Sequence, residues 1–194
     1  MTRYRKPAAL AIGIAALIIS ATVPAEPRIL IIGDSWSAGV WGARALDEVF
    51  AEYGLDEVDT VGDATAVGGS PAEQWASSEW RENITTQLNA HPTIDGVHLM
   101  IGGNDVLGRI KDKDVFEWPT SLLRDGWWNG IKEDVQTIVE HCLAHPQIEH
   151  VVIAGYDYID RSYIEPYLGW CWGPPYNFGG MPQHELNTAF IEVG

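Results

Sequence analysis

The sequence predicts an α/β protein, a three-layer α/β/α sandwich built on a parallel sheet, and three observations predict it. Residues 29–32, 97–101 and 151–154 form short, mostly apolar runs without polar alternation, which is how a strand buried on both faces reads. Stretches with apolar residues at helical spacing lie between the runs, so strands alternate with helices and run parallel. Two of the runs stop at glycine and turn polar, at Gly33-Asp34-Ser35 and at Gly102-Gly103-Asn104-Asp105. Such turns fall at the carboxyl edge of the sheet, where open α/β folds bind ligands and a helix amino terminus favours negative charge.

The first 25 residues stand apart from this pattern. Arg3, Arg5 and Lys6 precede an apolar run over 8–21 and then Val23-Pro24-Ala25, the layout of a secretory signal peptide cleaved after Ala25. The apolar run is short for a membrane span. The expected domain is therefore residues 26–194, secreted or periplasmic, with no stable membrane insertion after cleavage. Removing the signal takes away three cations and no acid, so the net charge falls from −15 to −18. Nucleic acid and anionic membrane surfaces would repel such a chain, which excludes both as partners. The 169 residues left suit one domain with its own core.

The elements follow in order. Residues 29–32 form the first strand, ended by Gly33. Ala45, Leu46, Val49, Phe50 and Tyr53 fall at helical spacing, with Gly54 as a stop, giving a first crossover helix over 43–53. Val58–Val61 is a short second strand, and the Gly- and Ala-rich residues 62–70 read as loop. Pro71, well tolerated in a first turn, opens a helical pattern that runs with interruptions to Leu88. After the third strand, residues 108–128 are irregular and aromatic, with Trp118, Trp127 and Trp128. Ile131, Val135, Ile138, Val139 and Cys142 then form the stripe of a long helix ending before Pro146. The fourth strand leads into a long loop over 156–182, dense in Tyr, Trp, Gly and Pro, and an amphipathic helix carrying Leu186, Phe190 and Ile191. Right-handed crossovers favour a flavodoxin-like topology, in which the order 2-1-3-4 sets the first and third strands side by side. An oxidising compartment permits a Cys142–Cys171 disulfide, and the sequence leaves that pairing open.

A Gly-Asp-Ser tripeptide alone is a common turn. Paired with Gly-x-Asn-Asp 69 positions downstream, at the end of another buried strand, it resembles the SGNH or GDSL hydrolase superfamily. Gly33-Asp34-Ser35 matches the first block, Gly102-Gly103-Asn104-Asp105 the third, and the resemblance extends in order over residues 28–155. An oxyanion-hole glycine lies between these blocks in that family, and Gly69 stands in its place, followed by Ser70-Pro71. The resemblance implies a serine esterase that cleaves carboxylic ester or acetyl groups, on a small molecule or a glycan, through an acyl-enzyme on Ser35. The residue types suit that chemistry. Attack by Ser35 creates an oxyanion, for which the Ser35 and Gly69 backbone N–H groups and the Asn104 side-chain amide are donors. No cofactor and no metal is needed. Asp34 and Asp105 read as turn and cap residues.

A serine nucleophile needs a base, which the family supplies in a carboxyl-terminal Asp-x-x-His block. No such block follows Asn104. Asp95-Gly96-Val97-His98 has the spacing, but His98 falls near the start of the third strand, about 13 Å from Gly102 at ~3.3 Å per residue. His141 and His145 lie one turn apart with no third metal ligand and read as a solvated helix face, while His91 and His150 flank elements on the opposite edge. His184 is the candidate base that remains. The expected explanation is a carboxyl-terminally truncated domain lacking the last strand and its Asp-x-x-His block. The alternative is a non-catalytic relative that binds a glycan or other ligand through Trp127, Trp128, Trp170 and Trp172.

Overall fold

The computed structural model describes residues 26–105 and 127–155. Their elements are β1 (Glu26–Gly33), α1 (Ser35–Gly42), α2 (Ala45–Glu52), β2 (Val58–Val61), α3 (Ala72–Ala76), α4 (Ser78–Ala90), β3 (Gly96–Met100), α5 (Trp127–Leu143) and β4 (His150–Ile153). The four strands form one parallel sheet in the order β2-β1-β3-β4. The α/β class and the 2-1-3-4 order are those expected from the sequence. The expected signal segment and final loop and helix lie outside the described residues.

Right-handed crossovers in this order put α1 and α2 on one face of the sheet and the helices after β2 and β3 on the other. The core agrees. Leu30 and Ile32 of β1 and Val97 and Leu99 of β3 pack in one buried cluster with Trp75, Ile84 and Leu88 of α3 and α4 and Ile131, Ile138 and Cys142 of α5. Ile31, pointing the other way by strand alternation, is fully buried outside that cluster. Cys142 carries a free thiol in this core, pushed up to about 12 by burial, which makes it unreactive. Cys171 lies outside the described residues.

Several boundaries differ from the sequence reading. The first strand begins at Glu26, where pairing with Val58 of β2 draws three further residues into the sheet. A separate helix, α1, precedes the expected crossover helix, which begins at Ala45 after the left-handed Arg44 (φ 56°). Its guanidinium is held there by Asp47, at 2.9 Å, and by Asp59. Ser77, extended at φ −66° and ψ 153°, divides the next helix and caps α4 through its side chain. The long helix α5 starts at Trp127, so Trp127 and Trp128 belong to its first turn and not to an irregular segment. β4 is an edge strand among the described residues, with Val152 and Ile153 exposed.

Candidate active site

Among the described residues, the Gly33-Asp34-Ser35 and Gly102-Gly103-Asn104-Asp105 turns lie together where β1 and β3 end. Gly33 pairs with Met100 across the two strands, and the next N–H, of Asp34, donates to the Met100 carbonyl at 3.2 Å. A Cβ on Gly33 would lie 1.9 Å from that carbonyl oxygen, and the backbone there has φ +143°, so only glycine fits. Buried Asp34 is the N-cap of α1, its Oδ1 accepting from the Trp36 N–H at 2.9 Å. Ser35 is thereby delivered as the first residue of α1, exposed, with the next turn anchored by Ser37, whose buried hydroxyl faces the Ile32 and Met100 carbonyls at 3.0 and 3.1 Å.

The loop 62–70 is strapped to the same edge. Gly33 N–H donates to Thr65, Val67 N–H donates to Gly33, and the Thr65 hydroxyl donates to Ile31 at 2.6 Å. Gly68 lies against Ser35: a Cβ on it would sit 3.8 Å from the Ser35 Cβ. Gly69, next to it, has φ +82° and open space on its Cβ side. Ser70 is buried, its hydroxyl donating to Val67 at 2.8 Å and accepting from the indole N–H of Trp75 at 2.8 Å. Trp75 is itself fixed by an edge-on contact with Trp80, 4.5 Å between ring centroids.

From β3 come Asn104 and Asp105, in a helical turn over 103–105. Asn104 Nδ2 donates to the Ser70 carbonyl at 3.3 Å, and Asp105 Oδ2 accepts from the Ala72 N–H at 2.8 Å. Asp105 is thus a cap, but of α3 and not of its own turn. Its carboxyl is raised above the ordinary aspartate range, chiefly by burial and further by the charge of Asp134, against the pull of backbone N–H groups at Ala72, Asp105 and Glu73. Asp134 is raised too, by burial and by Glu73 and Glu133.

The three sequence-derived donors, Ser35, Gly69 and Asn104, therefore sit on three segments joined by this bonding. The histidines do not join them. His98 lies two residues before Met100 in β3, half-buried, its ring held below the usual histidine range by burial, and its Nδ1 has no partner among the described residues. His141 is no solvated side chain: its Nε2 lies 3.0 Å from both the Thr85 hydroxyl and the Arg81 carbonyl, tying α5 to α4. His91 follows α4 and His150 opens β4, both at the amino edge of the sheet. His184 lies outside the described residues. Among the described residues no group of three or more His, Cys, Asp or Glu is placed to hold a metal. The part of the site that sequence reasoning missed is the Ser70–Trp75 bond and the reach of Asp105 to Ala72. The serine and tryptophan are five residues apart, but nothing in the sequence marks that spacing.

No protein-family model and no curated protein matches the chain. Solved structures similar to it include the psychrotrophic esterase EstA from Pseudoalteromonas sp., inhibited by monoethylphosphonate, at 16% identity and a TM-score of 0.45, covering 86% of this chain and 70% of that one. A variant of Axe2, an acetyl xylan esterase from Geobacillus stearothermophilus, is similar at 15% identity and a TM-score of 0.46, covering 88% and 73%. LAE5, an alpha/beta hydrolase enzyme from the metagenome of Lake Arreo, Spain, is similar at 15% identity and a TM-score of 0.49, covering 88% and 73%. At these identities and scores the likeness adds nothing to what the geometry above already carries.

Proposed function

We propose that the chain is an exported serine ester hydrolase of the SGNH type, cleaving a carboxylic ester or acetyl group by way of an acyl-enzyme on Ser35. One observation supports this reading above the rest. An exposed serine opens a helix at the junction of the two central strands, with Gly68 against it and the Asn104 amide bonded to Ser70, two residues further on. In the step itself the Ser35 oxygen bonds to the ester carbonyl carbon, its proton passes to the base, and the carbonyl oxygen takes the negative charge. The N–H groups of Ser35 and Gly69 and the Nδ2 of Asn104 are the donors for that charge, each worth about 3 kcal/mol in comparable sites. The alcohol leaves with the proton, and water then releases the acid. His184, outside the described residues, is the in-chain candidate for the base. The mature protein begins at Glu26, with the signal segment removed.

The test is fluorophosphonate labelling of the 194-residue protein alongside hydrolysis of a nitrophenyl acetate. Any label is expected on Ser35 and none on Ser35→Ala, and His184→Ala shows whether the in-chain candidate acts as the base. Labelling that survives Ser35→Ala would falsify the nucleophile, and undiminished labelling of His184→Ala would move the base elsewhere. Glycan binding without label or turnover would favour the non-catalytic alternative.

A further inference from the structure

Two consecutive side chains grip the chain on both sides of Pro71. Asn104 Nδ2 donates to the Ser70 carbonyl, before it, and Asp105 Oδ2 accepts from the Ala72 N–H, after it. Pro71 occupies the N-cap of α3, and no side chain of its own segment caps that helix. Asp105 therefore does the capping from 33 residues away.

This arrangement is expensive for what α3 needs. The helix is five residues long, and its cap is a half-buried carboxylate that faces a second carboxylate, Asp134 of α5, with Glu73 of α3 close by. A shorter-range Ser, Thr or Asn at the N-cap would serve the helix without burying charge. What a local cap would not do is fix the Gly68-Gly69 backbone relative to Asn104. Adjacent glycines are the most conformationally free residues in a chain, so the direction of their N–H groups depends on how their flanks are held. The upstream flank is held by Val67 N–H on Gly33, at 2.8 Å. The downstream flank is held by Ser70 and by Ala72, through Asn104 and Asp105.

We propose that Asp105 is a positioning residue of the Ser35 site: by holding Ala72 while its neighbour Asn104 holds Ser70, it locks the Gly69 N–H and the Asn104 amide into one oxyanion-binding pair. The inference rests on the reading of Gly69 and Asn104 as donors to an ester oxyanion. Asp105 touches no reacting atom. Its effect runs through the two donors, whose placement matters most when charge develops, so its loss lowers kcat and spares KM.

The experiment uses Asp105→Ala and Asp105→Asn in the full chain. For hydrolysis of nitrophenyl acetate, Asp105→Ala is expected to lower kcat about 100-fold, the effect of a misplacement near 1 Å, with KM changed less than about 3-fold. Asparagine keeps one acceptor oxygen for Ala72, so Asp105→Asn recovers most of that loss. In ¹⁵N spectra the Gly69 backbone amide and the Asn104 side-chain amide shift together in Asp105→Ala and return towards wild type in Asp105→Asn, while β4 amides stay in place. A kcat for Asp105→Ala near wild type, an Asp105→Asn no better than the alanine, or unmoved Gly69 and Asn104 signals would each overturn the proposal. Should Asp105→Ala not fold, Asp105→Asn against wild type decides, with a kcat reduced several-fold at constant KM expected and wild-type values in both readouts overturning. If the wild type hydrolyses no ester, the failure belongs to the Ser35 reading or to its base, and the two amide signals alone decide whether Asp105 holds the donors.

Discussion

Gly33 shows how little room the approach to Ser35 leaves. The oxygen that a Cβ would strike, at 1.9 Å, is a backbone carbonyl of the neighbouring strand, which cannot swing aside as a flexible side chain would. The same carbonyl accepts from Asp34 and faces the Ser37 hydroxyl, so moving it disturbs both contacts at once. Gly33→Ala is accordingly expected to cost roughly 4 kcal/mol or more, the range reserved for strain at a special backbone position combined with a steric clash. Urea denaturation is the measurement, and a variant within about 1 kcal/mol of wild type would contradict the packing described. Ser35 itself carries no such burden, being exposed, and Ser35→Ala should leave stability within about 0.5 kcal/mol of wild type while abolishing labelling.

β3 is the element that ties core to site: its odd-numbered side chains, Val97 and Leu99, fill the core cluster, while its carboxyl end carries Asn104. His98 points to the other face, between Ile31 of β1 and Val152 of β4 in register. Its ring is held below the usual value near 6.5 by burial, so the unfolded chain binds a proton there more readily than the folded one. The stability this histidine permits is complete above pH 6.5 and is lost as pH falls through the lowered folded value. Thermal melts of His98→Leu should therefore fall less steeply on acidification below pH 6.5 than those of wild type. His141, lowered by burial as well, remains in both proteins and contributes the slope that persists. Parallel melting curves for the two proteins across that window would show that His98 has ordinary access to water.

At the scale of the molecule, charge is the dominant feature. The chain has a net charge of −15, and three ion pairs join the described residues: Arg28 with Asp95, and Arg44 with Asp47 and Asp59. All three involve exposed arginines and contribute little each. Repulsion among the remaining acids opposes the compact state, and salt screens it, the Debye length falling from about 30 Å at 0.01 M to about 8 Å at 0.15 M. Raising sodium chloride over that range at pH 7 is expected to raise the melting temperature, and a flat or falling value would mean that the acids are already compensated. Asp105 and Asp134 add a second, opposite pH term to that of the histidines. Their carboxyls are raised, so the folded state holds their protons longer, and their burden on stability is relieved as pH falls through the raised values towards 3.8.

The strand-forming runs, their parallel arrangement, the glycine stops and the Gly33-Asp34-Ser35 turn into a helix were legible in the sequence, because each rests on local chemistry. An unbroken apolar run reports burial on both faces, and a glycine followed by Asp-Ser reports a capped helix start. The order 2-1-3-4 came with the flavodoxin-like topology chosen among the few that right-handed crossovers leave, and the sheet has it. The separate helix α1 before the left-handed Arg44 and the position of the break at Ser77 were not legible, because neither residue is a helix breaker by type and each is held by partners elsewhere or by its own cap. Nor was His141, which a one-turn spacing placed on a solvated face and which α4 claims through Thr85 and Arg81. The bond from Asp105 to Ala72, 33 positions apart, lies beyond any local signal. Sequence alone determined which residues could do chemistry; only the tertiary structure decided that Gly68 lies against Ser35, and that Asn104 and Asp105 close on the two sides of Pro71, since those contacts join segments whose meeting depends on the packing of the whole sheet.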